Sequence, residues 1–481
     1  MMMSAGTKAL SVALLLAQSL APHGLVGQER GDIAIVGGLV VDPASGLSAV
    51  RNVLIQGDRV TAITDQPVDA ISTIDARGLV VAPGFIDLLA HIRPSREPQQ
   101  YKIKDGVTTV VSMHGGPVDI AGWYRSFESN GSLVNFGTAV GDAAVREAAG
   151  IADRYAPATK QQRREMRRIA GEAIEAGAVG IGFGINYVPG ASYEEIVDLF
   201  AVAAQHGVPA HVHSRYKGSV FPETIVQSVQ EVIAAAAITG ASCQIVHLAS
   251  SAIGSMDASL EMIAGARRNG VDIMADIHPY LANSTRLESA LYDPGWEERF
   301  GGVTVDSIML VDTGERLNDE TFQYWREKGA TIVTFFIPKD EMFMALKHPL
   351  VMITSDGVIV GGKGHPRGAG TFTHVLGRLT RQEGHLTLME ALRKMTIMPA
   401  QRLERAAPSM RYRGRLAPGA YADITVFDPA TVVDRATYLN SAQYSEGVHY
   451  VLVNGTVVLD AGEFVAGAAP GRPIRYESRE N

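Results

Sequence analysis

Residues 209–215 read PAHVHSR, 243–249 read CQIVHLA and 351–357 read VMITSDG. Each is a brief apolar run that leads into a residue able to bind, or work beside, a metal: His213, His247 and Asp356. Apolar runs of this length, separated by helix-like stretches, read as buried parallel strands. Polar residues at the carboxyl ends of such strands are where a (β/α) barrel keeps its chemistry. The pattern predicts a hydrolytic metalloenzyme.

Further runs of the same kind lie on either side. GFIDLLAH (84–91), VTTVVSM (107–113), LVNFGTAVG (133–141) and AVGIGFGI (178–185) precede VPAHVHS (208–214) and CQIVHLAS (243–250). VDIMADIHPY (271–280) and LVMITSDG (350–357) complete a set of eight strands, the number a closed barrel requires. Helical stretches at 160–176, 193–206 and 222–239 lie between several of them. The interval 286–345 is long enough to hold a small inserted subdomain over the barrel mouth. The two flanks differ in character. DIAIVGGLVVDP, VLIQGDRVTAI and ISTIDARGLVVAP at one end, and YADITVFDP and GVHYVLVNGTVVLDAGEFV at the other, are β-branched runs punctuated by turn residues. The expected architecture is α/β: a TIM-like (β/α)8 barrel over 83–410, with a small β-sandwich built from 32–82 and 411–475.

The composition is globular, with 46% apolar and 20% charged residues. A formal charge of −8 and the lack of a basic stripe argue against a nucleic-acid partner. Lys8 precedes the apolar stretch ALSVALLLAQSLA (9–21), which is short for a bilayer span and ends in small residues. Residues 1–27 therefore read as a signal peptide, with an exported, periplasmic or secreted product that keeps no stable membrane span. Cys243 is the single cysteine, so no intrachain disulfide can form. The oligomeric state is not readable.

His91 ends the first strand as His213, His247 and Asp356 end the fifth, sixth and eighth. Imidazoles and a carboxylate suit zinc or a similar borderline metal, and a catalytic zinc needs about three protein ligands and an open position. Asp356 would take a proton from water and pass it to a leaving amine. His211 points to the same side of its strand as His213 and is expected to fill the barrel more deeply.

The chain resembles the amidohydrolase superfamily and, within it, the D-aminoacylase (N-acyl-D-amino-acid deacylase) branch. The resemblance rests on GLVVAPGFID (78–87), GVTTVV (106–111), GINYVPG (184–190), HSR (213–215), HL (247–248), DIHPYLANST (276–285) and ITSDG (353–357). HPRGAGTFTHVLGR (365–378), MTIMPAQRL (395–403), GRLAPGAYADITVFDP (414–429) and VLVNGTVVLDAGEF (451–464) extend it to nearly everything after the signal segment. It implies metal-dependent hydrolysis of the amide of an N-acyl-D-amino acid, or a related N-acyl or dipeptide substrate. His213 and His247 would be ligands and Asp356 the catalytic aspartate. Arg367, Tyr280 and Tyr187 would stand near the substrate; their plainer reading is a loop-pinning arginine and two packing tyrosines.

The departures shape the rest. The branch's His-x-His on strand one is Leu89-Ala90-His91 here, and its cysteine ligand after strand two aligns with Gly115. His114 would substitute after a small backbone shift, although adjacent residues normally face opposite ways, and is otherwise a polar loop residue. One zinc ion, held by His213, His247 and a further ligand from His91 or His114, is therefore expected. The branch's carboxylate-binding lysine after the strand-six histidine is missing from His247-Leu248-Ala249, which implies a changed substrate. A cyclic-amide hydrolase of dihydroorotase or hydantoinase type is the rival within the class, weakened because GIGFGI offers no metal-bridging lysine. The rival from another class is a degenerate, non-catalytic binding barrel, against which the retained Asp356 argues.

Overall fold

A computed structural model of the chain describes residues 30–478. The segment read as a signal peptide lies outside them.

Eight parallel strands form a TIM-like (β/α)8 barrel. They are Phe85–Asp87, Val107–Ser112, Asn135–Thr138 continued by Val140–Gly141, and Ile181–Gly184. Ala210–His213, Cys243–Ile245, Ile273–Ile277 and Val351–Ile353 follow. Pairing runs in chain order: Thr109 beside Asn135, Ile181 beside Ala210, Ala210 beside Cys243, Cys243 beside Ile273, and Ala275 beside Val351. The first and eighth strands meet past their ends, where Ala90 and Gly357 form one parallel bridge and the Asp356 N–H donates to Leu89 O at 2.6 Å. Beneath this seam the buried Lys102 ammonium donates to Asp87 at 3.0 Å and to the Ser355 hydroxyl at 2.8 Å.

The outer helices carry clear local signals. Tyr193–His206 opens on a capping box of Ser192 and Glu195 and stops at Gly207, φ 68°. Ile225–Thr239 opens on Thr224 and Gln227 and stops at Gly240, φ 74°. Such caps satisfy the orphan N–H groups at the start, and a left-handed glycine closes the end at no steric cost.

Strands from both ends of the chain share one nine-stranded sheet. Ile424–Phe427 joins the halves by pairing antiparallel with Val80–Pro83, and Val80–Pro83 pairs parallel with Gly31–Asp42. The expected two-layered sandwich is thus continuous in its hydrogen bonding, around a core of its own that includes Ile35, Val53, Val81, Ile424 and Leu452. A polar knot ties it to the barrel. The Asn135 amide donates to Thr109 and Asp423, and its oxygen accepts from Asn454 and the Arg472 N–H. The C-terminal stretch then runs along barrel strand three, bridging Ser132 to Pro470 and Phe136 to Pro473.

Between barrel strands seven and eight lies a three-stranded antiparallel sheet with Ala282–Arg286 and Ile308–Leu310 on either side of Thr331–Phe335. It stands at the barrel mouth. Tyr187 Oη and Thr285 Oγ1 are 3.1 Å apart, Tyr155 donates to Asp293 at 2.8 Å, and Arg367 donates to Ser284 O at 3.2 Å. No helix among the described residues is long and apolar enough to cross a membrane.

Candidate metal and substrate site

The carboxyl ends of the strands and the inserted sheet enclose a cavity of about 550 Å³, whose wall includes His91, His114, His213, His247, Asp356 and Arg367. Two of these residues hold left-handed backbone: His247 at φ 35° and Asp356 at φ 50°. That conformation is costly away from glycine and persists where surrounding contacts impose it. The His247 N–H is tied to Asp276 Oδ1 at 2.8 Å, and the Asp356 N–H to the carbonyl of Leu89. Asp276 also accepts from Thr354 and Gln244, and burial pushes its carboxyl up to about 7.

His114 reaches the cavity from a loop that lies tightly on the barrel. A Cβ on Gly116 would fall 1.9 Å from Ala139 O, and one on Gly182 would fall 2.6 Å from the backbone of residues 113 and 115. Only glycine permits that approach. Strand two has ended at Ser112, so alternation no longer governs where His114 points.

His114 Nε2 and His247 Nε2 each lie 3.0 Å from His213 Nδ1. Two nitrogens bound to one tetrahedral zinc at ordinary bond lengths stand about 3.3 Å apart, so the trio fits such an ion. The far ring nitrogens fit as well. His247 Nδ1 is 3.0 Å from Ser250 Oγ, which itself donates to His247 O and so accepts from the ring. His213 Nε2 faces the Asn186 amide at 2.5 Å. A ligating Nδ1 leaves the proton on Nε2, which requires the amide oxygen there, and Asn186 Oδ1 otherwise has no partner. His114 Nδ1 stands 3.5 Å from Asp356 Oδ1. Ligating histidines are oriented by such outer contacts. Burial chiefly, with smaller help from neighbouring groups and against the pull of Asp356, holds His213 and His247 well below the usual imidazole range, in the neutral form that binds metals.

His114 also belongs to a second group with His91 and Asp356, in which His91 Nε2 is 3.7 Å from Asp356 Oδ1. His91 is half exposed, whereas Leu89 is buried in the apolar core with no coordinating atom. Burial raises the Asp356 carboxyl, but Arg367, 2.9 Å away, together with His114 and His91, outweighs it and holds the group well below the usual range. Tyr187 lines the cavity, its ring 5.0 Å edge-on to His213. Tyr280 does not: it is buried against His374, ring centroids 4.8 Å apart, outside the cavity wall. His211 is wholly buried below His213, with neither ring nitrogen hydrogen-bonded.

Sequence reasoning passed over Lys217. It lines the cavity from the loop after strand five, and its ammonium donates to Ser250 O at 3.1 Å. It also passed over Asn186 and Ser250, which orient His213 and His247. Ser250 lies three residues beyond His247, a spacing that marks it only once the loop geometry is known.

The pattern of the amidohydrolase family matches residues 317–459. An N-acyl-D-glutamate deacylase of Alcaligenes xylosoxydans xylosoxydans is 33% identical, over 94% of this chain and 98% of the relative. A D-aminoacylase of the same organism is 31% identical over 92% and 97%. The crystal structure of an N-acyl-D-glutamate deacylase from Bordetella bronchiseptica, complexed with zinc and a phosphonate inhibitor, superposes with a TM-score of 0.82 at 30% identity. That match covers 93% of this chain and all of the other. A D-hydantoinase from Bacillus sp. AR9 shares the fold, with a TM-score of 0.60 at 19% identity. The chain belongs to the amidohydrolase family, in its D-aminoacylase branch.

Proposed function

We propose that the protein is a metal-dependent deacylase that hydrolyses the amide of an N-acyl-D-amino acid or a close analogue, with one zinc ion held by His114, His213 and His247. The convergence of three oriented imidazole nitrogens beside Asp356 carries this reading. An ion bound there would lower the pKa of a water molecule and polarise the amide carbonyl. Asp356 Oδ1 faces His114 and His91 across the cavity, placed to accept the water's proton and return it to the departing amine nitrogen. Arg367 and the two histidines keep that carboxylate charged and oriented. A related D-aminoacylase structure, 28% identical with a TM-score of 0.80, is described in terms of one-metal activation and second-metal attenuation. That description favours the single ion, as does the loss of a ligand at Leu89. The N-terminal segment is the basis for placing the activity outside the cytoplasm.

The test measures bound metal per chain together with turnover of N-acyl-D-amino acids. His213→Ala should lose the metal. Asp356→Asn should keep it and lose kcat by about 10²- to 10⁴-fold. Undiminished turnover in Asp356→Asn, or in protein stripped of metal, would refute the assignment.

A further inference from the structure

We propose that Lys217 is the cation that receives the substrate's carboxylate, a role the strand-six loop leaves vacant. The proposal takes the kind of substrate from the deacylase reading above. Lys217 is 3% exposed, yet it borders both the main cavity and a second one of about 240 Å³. An ammonium group carries three donors, and this one makes a single hydrogen bond, to Ser250 O. Its other neighbours are the rings of Phe300 and Phe336, with centroids 5.3 and 5.7 Å away. The similarly buried Lys102, Arg146, Arg367 and Arg413 each hold a carboxylate. Lys394 holds none, but it is bonded to two carbonyls and borders neither cavity. Arg367 also borders the main cavity with Nε and Nη1 unpartnered, but Asp356 already neutralises it; Lys217 alone of this group combines burial, free donors and an adjoining cavity with no carboxylate partner. A buried cation without a counter-ion is costly unless a ligand supplies one.

The location suits an N-acyl amino acid. The Ser250 carbonyl touches Lys217 while the Ser250 hydroxyl touches His247, so one residue separates the ammonium from the metal-ligand trio. In the substrate the carboxylate and the amide nitrogen share the α-carbon, which demands a cation that close to the reacting amide. Asp356 occupies Arg367 at 2.9 Å, whereas no carboxylate among the described residues is within ion-pair distance of Lys217. The loop His247-Leu248-Ala249 brings no lysine of its own; the charge arrives from the neighbouring loop. Burial lowers the ammonium to about 7, so its affinity for an anion is greatest below that pH.

The decisive experiment compares N-acetyl-D-methionine with its α-carboxamide on metal-loaded wild type, Lys217→Met and Lys217→Arg, after circular dichroism and metal content confirm intact protein. Lys217→Met should raise KM for the acid about 30-fold or more, with kcat changed far less. It should leave KM for the carboxamide where it was, and Lys217→Arg should recover most of the loss. In wild type, KM for the acid should climb as pH rises past 7, and this climb should vanish in Lys217→Met. An unchanged preference for acid over carboxamide in Lys217→Met would overturn the proposal, as would a loss confined to kcat. Calorimetric binding of the same pair to Asp356→Asn, with and without Lys217→Met, separates the two readings. If wild type hydrolyses no N-acyl-D-amino acid the deacylase assignment fails, and selective loss of acid binding still decides Lys217.

Discussion

His247 and Asp356 show how chemistry is held against local preference. Both keep left-handed backbone, and each is fixed by one buried N–H bond, to Asp276 and to Leu89 O. Lys217 is held on similar terms, and its cost can be measured. Its folded-state pKa, about 7, lies below the ordinary lysine value of about 10.4 expected in the unfolded chain. Between those values the unfolded chain binds more protons, so stability rises with pH. This contribution is complete above the unfolded value and is lost as pH falls through 7. Lys217→Met should therefore be more stable than wild type at pH 7, by about 1 kcal/mol or more. The gap should close by about pH 11, above the unfolded value, as denaturation midpoints at the two pH values would show. His213, His247 and Asp356 were legible in the sequence because each closes a short apolar run. Lys217 was not, since it stands four residues past a strand in a loop where neither alternation nor helical period applies. His114 looked doubtful under strand alternation, which lapses once the strand stops at Ser112. Tyr280 is turned away by its packing against His374, a tertiary fact that no motif carries.

Elements of the barrel were legible for a plain reason: strands buried on both faces must be apolar runs, and the helices between them carry Ser, Thr and Gly caps. The insertion was legible only as a length. Its three strands are short, and their pairing order, with the last strand central, depends on contacts that local sequence does not encode. Apolar packing of residues such as Leu291, Phe300 and Phe336 into the main core fixes it over the cavity, together with a few side-chain bonds, of which Tyr155 to Asp293 touches none of the candidate ligands. Tyr155→Phe should loosen the insertion by about 0.5–1 kcal/mol. Faster amide exchange over residues 290–300 and a modest rise in KM, with metal content unchanged, are the expected results. Unaltered exchange would show that this bond does not hold the insertion, since the Arg326–Asp293 pair at 2.6 Å lies within the insertion itself.

At the scale of the whole molecule, the meeting of the chain's two ends could be anticipated from their shared β-branched character. Their fusion into one continuous sheet could not, because it depends on Ile424–Phe427 choosing Val80–Pro83 as neighbour. The return of the Pro-rich tail along strand three, knotted through Asn135, was equally hidden. That tail and the sheet brace the middle of the barrel wall. The join between strands one and eight has a single backbone bridge, the Asp356–Leu89 bond and the Lys102 cluster below. The candidate catalytic aspartate thus hangs on the barrel's thinnest hinge. Gentle heating should silence the enzyme while its circular dichroism still reads as native, with two midpoint temperatures where a uniformly closed barrel would give one.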